Sequence, residues 1–144
     1  MSLKLVKTLK RALQSLQGAN MSLRKESIKK LQDAVKNKSM ACYNKNVSEC
    51  YYLHGKTGTK CAVGVIIPDK TINKMIDGEG NCDFFTDEKN SNSIANQLQG
   101  KNTYRGMKVS ELTEMQNKHD DIILDKVDRI EGISILESFI QGLK

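Results

Sequence analysis

The segment from Cys50 to Asp69, CYYLHGKTGTKCAVGVIIPD, constrains the fold of this 144-residue chain more than any other. It contains two of the four cysteines, one of the two histidines, three of the ten glycines and the only proline. Glycine and proline restrict the backbone conformations that a segment adopts, whereas cysteine and histidine are residue types that carry chemistry. This density predicts a constrained backbone, a functional site, or both.

The spacing within the segment predicts a small β-hairpin followed by a short helix. Residues 50–54 form the first strand, residues 55–58 a glycine turn, and residues 59–61 the returning strand. We expect a buried helix at residues 62–67 that Pro68 ends, because the residue before a proline is disfavoured in helical conformation. Cys61 then lies at a helix N-terminus, where the unpaired amides and the helix dipole lower the pKa of a thiol.

The first 35 residues show two helical patterns separated by Gly18-Ala19-Asn20. In both patterns the apolar residues recur at three- and four-residue steps, and Ser2 can cap the first helix. These apolar positions are Leu3, Val6, Leu9, Leu13 and Leu16, then Leu23, Ile28, Leu31 and Val35. Because glycine commonly ends a helix in the left-handed conformation, we expect an N-terminal antiparallel helical hairpin.

The second half of the chain predicts further helices joined by polar loops. A helix opens at Ser110, Gly132 interrupts its pattern, and a terminal amphipathic helix follows; short helical pieces are expected at residues 71–76 and 92–98. The apolar face after Ser110 carries Leu112, Met115, His119, Ile122 and Ile123. The expected fold is α+β and mostly helical, with an N-terminal helical hairpin, one small β-hairpin and C-terminal helices in a single domain over residues 1–144.

Composition favours a soluble protein of the cytoplasm. The longest apolar run, residues 61–68, is too short to span a bilayer, and the N-terminus lacks the continuous apolar core of a secretory signal. We therefore expect no membrane association, and we expect the cysteines to stay reduced. The cysteine spacings contain no CxxC pair. In the acidic loop at residues 77–89, an EF-hand counted from Asp77 would need glycine at its sixth position, and Cys82 stands there. The sequence predicts no metal site and no cofactor.

The net charge of +6 is concentrated at the N-terminus. Residues 1–40 carry ten Lys or Arg against two Asp or Glu, a net charge of +8, whereas the remaining 104 residues carry thirteen against fifteen, a net charge of −2. Such asymmetry is typical of surfaces that bind nucleic acid or acidic partners, although an ordinary solvated helix face gives the same pattern. Residues 1–40 contain no aromatic residue for stacking on bases, so nucleic-acid binding remains the less favoured alternative.

A cysteine, a histidine and a carboxylate provide the residue types of thiol catalysis. Cys61 would be the nucleophile, His119 the base, and Asp69 or Asp120 the group that orients the base. These residues need to meet only in space. The structural interpretation is that a cysteine beside small residues suits tight packing, and that a histidine on an apolar helix face is a buried core residue. Both interpretations remain open at this point.

The turn GKTGTK is a candidate site for an anionic ligand. It lacks the GxxxxGK[ST] spacing of a phosphate-binding loop, so the sequence does not predict a nucleoside triphosphatase. Main-chain amides, ammonium groups and hydroxyls in a glycine turn nevertheless suit a phosphate or another anion. The candidate ligand-binding residues are Tyr52, His54, Lys56, Thr57, Thr59, Lys60 and Asp120.

Two motifs resemble those of small uncharacterised proteins from bacteriophages and bacterial mobile elements. The first motif comprises Cys50, Tyr52, Gly58, Lys60, Cys61, Ala62, Gly64, Ile67, Pro68 and Asp69; the second comprises Gln116, His119 and Asp120. The chain departs from the pattern at Leu53, where arginine is common, and at Lys70-Thr71-Ile72, where an acidic run with a tyrosine is usual. The resemblance implies a phage-encoded accessory protein acting in the host cytoplasm, and it implies that the two motifs lie together.

These observations lead to one main hypothesis and two alternatives. The main hypothesis is a non-catalytic accessory protein that binds a host protein or a small anionic ligand. The alternatives are a thiol-dependent hydrolase or transferase that uses Cys61 and His119, and a nucleic-acid-binding protein that uses the basic N-terminal helices. We further expect Cys61 to be buried and His119 to contact Asp69 or a backbone carbonyl of residues 61–69, because a buried imidazole needs polar partners.

Overall fold

The computed structural model describes residues 2–82 and 102–144 of the chain. Within these residues, the helices are α1 (Leu3–Lys36), α2 (Ala62–Ile66), α3 (Asp69–Asn73), α4 (Val109–Ile123) and α5 (Arg129–Gln141), with a 3₁₀ turn at Ala41–Tyr43. The strands β1 (Thr103–Tyr104) and β2 (Met107–Lys108) pair in antiparallel register, Thr103 with Lys108 and Tyr104 with Met107. The mostly helical α+β class is confirmed. The helix expected at residues 92–98 lies outside the described residues.

The predicted N-terminal helical hairpin is wrong, because α1 is a single helix of 34 residues that passes through Gly18. Ser2 caps it as expected, its Oγ accepting a hydrogen bond from the amide of Leu5 at 3.2 Å. Leu16 and Leu23 lie seven residues apart, close to two helical turns, so the apolar pattern keeps its phase across the glycine. Gly18 costs the helix about 1 kcal/mol relative to alanine, which does not break it.

Residues 50–61 turn back on themselves without forming the predicted pair of strands. One antiparallel bridge joins Leu53 to Lys60, and the amide of His54 donates to the carbonyl of Thr59 at 2.9 Å. Leu53 also forms a bridge with Cys82, so a third segment takes up part of its pairing. The predicted β-hairpin is therefore misplaced: the paired strands lie at residues 103–108.

The helices predicted around Pro68 and after Ser110 are confirmed within a few residues. α2 spans Ala62–Ile66 and ends before Ile67-Pro68, and α4 begins at Val109. The break attributed to Gly132 is misplaced, because Gly132 lies buried inside α5. The chain instead turns after α4, where Asp125 adopts a φ of 58°.

The C-terminal half of α1 packs on the rest of the protein, whereas its N-terminal half projects from it. Ser27, Leu31, Ala34 and Val35 are buried, while every residue from 2 to 22 is exposed except the half-buried Val6. Around the buried half lies a core of apolar side chains from α2, α4, α5 and the loops. Its fully buried members include Met40, Ile66, Ile67, Ile72, Met107, Met115, Leu136 and Ile140.

Arg24 anchors α1 at the point where the helix meets the rest of the protein, which we call the body. Its guanidinium forms two hydrogen bonds to the Glu111 carboxylate, at 2.7 and 2.9 Å, and Nε donates to the carbonyl of Lys144 at 2.6 Å. Gly106, with a φ of 76°, lies against the backbone of α1: a Cβ there would be 2.3 Å from the amide nitrogen of Arg24 and 2.5 Å from the carbonyl oxygen of Asn20. The body therefore begins to cover α1 at Asn20. In the part of the chain that the structure describes, no helix is both long and apolar enough to cross a bilayer.

Candidate functional site

The first candidate site is the junction where the two sequence motifs meet, at the start of α2. Cys61 is the N-cap of this helix, and its Sγ accepts a hydrogen bond from the amide of Gly64 at 3.3 Å. The thiol is fully buried, as expected. Burial raises the pKa of Cys61, outweighing the hydrogen bond from Gly64 that lowers it, and the charge of Asp120 raises the pKa further. The helix N-terminus therefore does not activate this thiol.

Gly64 lets α2 approach the chain at Tyr52 closely. A Cβ at Gly64 would lie 2.1 Å from the carbonyl oxygen of Tyr52, so no larger residue fits without moving the helix. This contact joins the two ends of the first motif. It also fixes the position of the α2 N-terminus against α4.

Gln116 and His119 connect α4 to the first motif and to the 3₁₀ turn. Gln116 Oε1 accepts a hydrogen bond from the amide of Val63 at 3.0 Å, and Gln116 Nε2 donates to Asp120 Oδ1 at 2.9 Å. His119 is completely buried. Its Nε2 accepts from the amide of Cys42 at 3.2 Å, and its Nδ1 lies 3.1 Å from Asp120 Oδ1. Because Nε2 must accept, the proton of the neutral ring is assigned to Nδ1, which donates to Asp120.

The expectation that His119 contacts Asp69 or a carbonyl of residues 61–69 is wrong. Asp69 is exposed at the start of α3, where Lys60 Nζ lies 2.6 Å from its Oδ1. The Lys60 ammonium lowers the pKa of Asp69. The two motifs do meet, but they meet through Gln116, a residue type whose side chain both donates and accepts. His119 reaches instead to the main chain of Cys42, a contact that no residue pattern indicates.

At this junction the polar side chains are engaged in structural hydrogen bonds, and they are not arranged as a thiol-catalysis site. Both ring nitrogens of His119 have partners, and neither partner is the Cys61 thiol. Burial likewise raises the pKa of Cys42 to about 12. Within residues 2–82 and 102–144, no three His, Cys, Asp or Glu side chains are placed to hold a metal ion. In this geometry the residues serve to join α2, α4 and the 3₁₀ turn.

The predicted anion-binding residues of the glycine turn do not converge on one point. Lys56 and Thr57 are exposed at its tip, whereas Tyr52 and His54 are buried in the interior. The hydroxyls of Thr57 and Thr59 lie 2.7 Å apart, and Asp120 belongs to the buried junction. Burial lowers the pKa of His54, with a smaller contribution from His119, so this histidine is neutral at pH 7.

A cleft of about 300 Å³ lies beside the turn, between it and α1. Of the predicted ligand-binding residues, Lys60 contributes to its wall, and the other lining residues are Lys30, Asp33, Ala34, Asn37, Ser39, Gly58 and Val65. Both lysines already have acidic partners, Glu26 and Asp69, and Asp33 adds a carboxylate to the wall. The cleft therefore offers little uncompensated positive charge to a small anion.

The second candidate site is the solvent-facing surface of α1. Six basic residues fall within an arc of about 60° at 3.6 residues per turn, and we call this line of charges the basic ridge. Its members are Lys4, Lys7, Arg11, Lys25, Lys29 and Lys36, all exposed. The sequence indicates the charge of this region, but only the continuous helix aligns its two halves.

The opposite face of the projecting half carries Val6, Leu9, Leu13 and Leu16, which we call the leucine stripe. The three leucines are 48%, 59% and 68% exposed. In the helical hairpin expected from the sequence, this apolar face would have packed against the second helix. Because α1 is continuous, this face is exposed to solvent.

Comparisons with known proteins found no match to this chain, neither among protein-family models nor among curated proteins or solved structures. The resemblance to bacteriophage and mobile-element proteins therefore remains a prediction based on the two motifs.

Proposed function

We propose that this chain is a phage-encoded, non-catalytic accessory protein that binds an acidic host protein in the cytoplasm through the basic ridge. The observation that carries the proposal is the alignment of six exposed cations along one face of a 34-residue helix. At 1.5 Å per residue this helix is about 50 Å long. A line of like charge of this length attracts acidic surfaces and speeds their association.

The charges of the ridge are largely available to a partner. Among the described residues, Lys29 is the ridge member with a carboxylate within ion-pair distance, Asp33 at 2.8 Å, and both side chains of that pair are well exposed. Exposed pairs within a helix contribute only a few tenths of a kcal/mol, so this pair competes weakly with a partner.

The other hypotheses have less support from the geometry. The Cys61–His119 pair of the enzymatic alternative is buried and its polar atoms are occupied by structural hydrogen bonds. The cleft of the small-ligand hypothesis has mostly compensated charges. The ridge of the nucleic-acid hypothesis offers phosphate contacts but no aromatic side chain for stacking. An acidic protein surface needs only the charges.

A charge-reversal experiment tests the proposal. The ridge variant carries Lys4→Glu, Lys7→Glu, Arg11→Glu and Lys25→Glu, and a matched control carries Lys45→Glu, Lys70→Glu, Lys74→Glu and Lys126→Glu at exposed positions elsewhere. Both variants change the net charge equally. Immobilised wild type, ridge variant and control are exposed to bacterial lysate, and retained proteins are identified by mass spectrometry. A polyglutamate peptide and a random DNA duplex serve as defined probes.

We expect the wild type and the control to retain the same acidic protein and to bind polyglutamate, and the ridge variant to lose both. Binding should weaken at high salt, because the Debye length shortens from about 10 Å at 0.1 M salt to about 3 Å at 1 M. Equal retention by the ridge variant and the wild type would refute the proposal. Tight binding of the DNA duplex with no acidic protein retained would replace it with the nucleic-acid alternative.

A further inference from the structure

The leucine stripe is an apolar surface that no part of residues 2–82 and 102–144 covers. About three to five turns beyond Leu16 along α1, the same face carries Ser27, Leu31 and Ala34, which are buried against the body. The stripe is thus the direct continuation of a core-facing surface. A contiguous exposed row of large apolar side chains on a helix indicates an interaction site.

We infer that the stripe is covered by the stripe of a second copy of this chain, with the two projecting helices antiparallel. This inference uses the face of α1 opposite to the basic ridge and does not depend on the proposed function. Isolated helices of fewer than about 15 residues are marginal in water, and most helix stability in proteins comes from packing of an apolar face. Such packing would stabilise residues 3–19, which extend α1 beyond the part that the body covers.

The position of the body decides which partner fits the stripe. Because Ser27, Leu31 and Ala34 face the body, the body lies on the same side of α1 as the stripe. A flat membrane surface laid against the stripe would run into the body. A second copy in parallel orientation would place its own body in the same space. A single helix that lies between the body and the projecting half of α1, which we call the arm, meets neither obstacle.

In the antiparallel orientation, the two bodies lie at opposite ends of the helix pair. The body covers α1 from Asn20 onward, where Gly106 contacts the helix backbone, so the partner helix must end before that point. A twofold axis near Arg11 satisfies this limit. It places Val6 opposite the partner copy's residue 16 and Leu9 opposite the partner copy's residue 13, which gives four apolar layers related by symmetry.

The flanks of the stripe are compatible with this pairing. Ala12 and Ala19 lie on one side of it, where small residues allow helices to approach closely, and Leu5 would pack over Ala19 of the other copy. On the other side only Lys10 is charged, and it would lie near its symmetry mate. The remaining basic residues of the arm point away from the interface. Because the contact is apolar with one like-charge pair, added salt should leave dimerisation unchanged or strengthen it, opposite to its effect on the basic ridge.

The oligomeric state of the full chain tests the inference. Sedimentation equilibrium should show a monomer–dimer equilibrium for the wild type between about 1 and 100 μM, the weak end of the range for specific interfaces. The variant Leu9→Gln/Leu13→Gln should be monomeric throughout. A control with Lys7→Gln/Arg11→Gln, on the opposite face, should dimerise like the wild type. A monomeric wild type, or a stripe variant that still dimerises, would overturn the inference.

Cysteine cross-linking tests the orientation. In a Cys50→Ser background the other native cysteines are buried, so a single exposed cysteine can be placed on the arm. Ala12→Cys lies near the twofold axis and should form a disulfide-linked dimer under mild oxidation, whereas Ala19→Cys lies opposite Leu5 of the other copy and should not. In a parallel pair the two copies of Ala12 would lie on opposite sides of the interface, so a dimer in which Ala12→Cys does not cross-link would refute the antiparallel arrangement. A wild type that stays monomeric, and whose binding to lipid vesicles is lost in the Leu9→Gln/Leu13→Gln variant, would overturn the inference in favour of a membrane.

Discussion

Replacing Gly64 by alanine should destabilise the protein by about 2 to 3 kcal/mol, mainly through overpacking at the junction of the two motifs. A Cβ at this position would lie 2.1 Å from the carbonyl oxygen of Tyr52 and 2.9 Å from the carbonyl carbon. Both are main-chain atoms, so no side-chain rotation relieves the overlap. Because carbon and oxygen atoms come no closer than about 3.3 Å in weak contacts, α2 must move by about 1 Å.

The magnitude follows from three contributions. Overpacking of a buried site costs about 1 to 3 kcal/mol. The movement of α2 also weakens the hydrogen bonds of Val63 to Gln116 and of Gly64 to the Cys61 thiol, each contributing about 1 kcal/mol at most. Alanine is the better helix former, which offsets about 1 kcal/mol of the loss.

Urea unfolding of the wild type, Gly64→Ala and Gly18→Ala measures this effect against a matched control. Gly18 also lies within a helix, but a Cβ there would meet nothing within 4 Å, so its replacement should be neutral or stabilise the protein by up to about 1 kcal/mol. The m-value should stay constant if the native state remains compact. A Gly64→Ala variant within about 0.5 kcal/mol of the wild type, the usual range of surface substitutions, would refute the argument from close approach.

Three further measurements examine the anchor, the buried histidine and the thiols. The hydrogen bond from Arg24 lowers the pKa of Glu111 in the folded protein. The charged carboxylate therefore stabilises the fold at pH values above the pKa of Glu111 in the unfolded chain, and this contribution is lost as the pH falls through the pKa in the folded protein. Glu111→Gln should therefore cost about 1 to 2 kcal/mol in urea unfolding at neutral pH, and this cost should fade in acid; a pH-independent cost would contradict the ion pair. His119→Phe removes the acceptor of a buried amide and should cost about 1 to 3 kcal/mol, so an unchanged midpoint would contradict its bridging role. Iodoacetamide should label the half-exposed Cys50 first in the folded protein, and early labelling of Cys61 in mild acid would instead favour the thiol enzyme.

Local sequence patterns predicted the parts of this structure that depend on local interactions. The cap at Cys61, the short helix before Pro68 and the burial of His119 follow from spacing and residue type, and the structure has each of them. The close approach at Gly64 agrees with the tight packing that the small residues beside Cys61 favour.

The errors arose where the decisive partner was distant or was a main-chain group. Gly18 resembled a helix end, but α1 continues straight through it. The expected strand at residue 53 pairs partly with Cys82, a segment far along the chain. His119 binds the amide of Cys42, and an amide is present at every non-proline residue, so no sequence pattern distinguishes this one.

The two faces of α1 would act together if both proposals hold. An antiparallel pair turns the leucine stripes inward and leaves the arm charges Lys4, Lys7 and Arg11 of each copy on the outside of a two-helix rod. Two copies then present their ridges on opposite sides of one assembly. A partner with two acidic surfaces would bind it more tightly than it binds one copy, because its second contact is made within the complex that the first contact has formed. The stripe variant Leu9→Gln/Leu13→Gln keeps every cation but separates the copies. It should therefore retain monovalent polyglutamate binding while losing the gain in affinity for a bivalent partner, and equal loss of both would mean that the stripe itself contacts the partner.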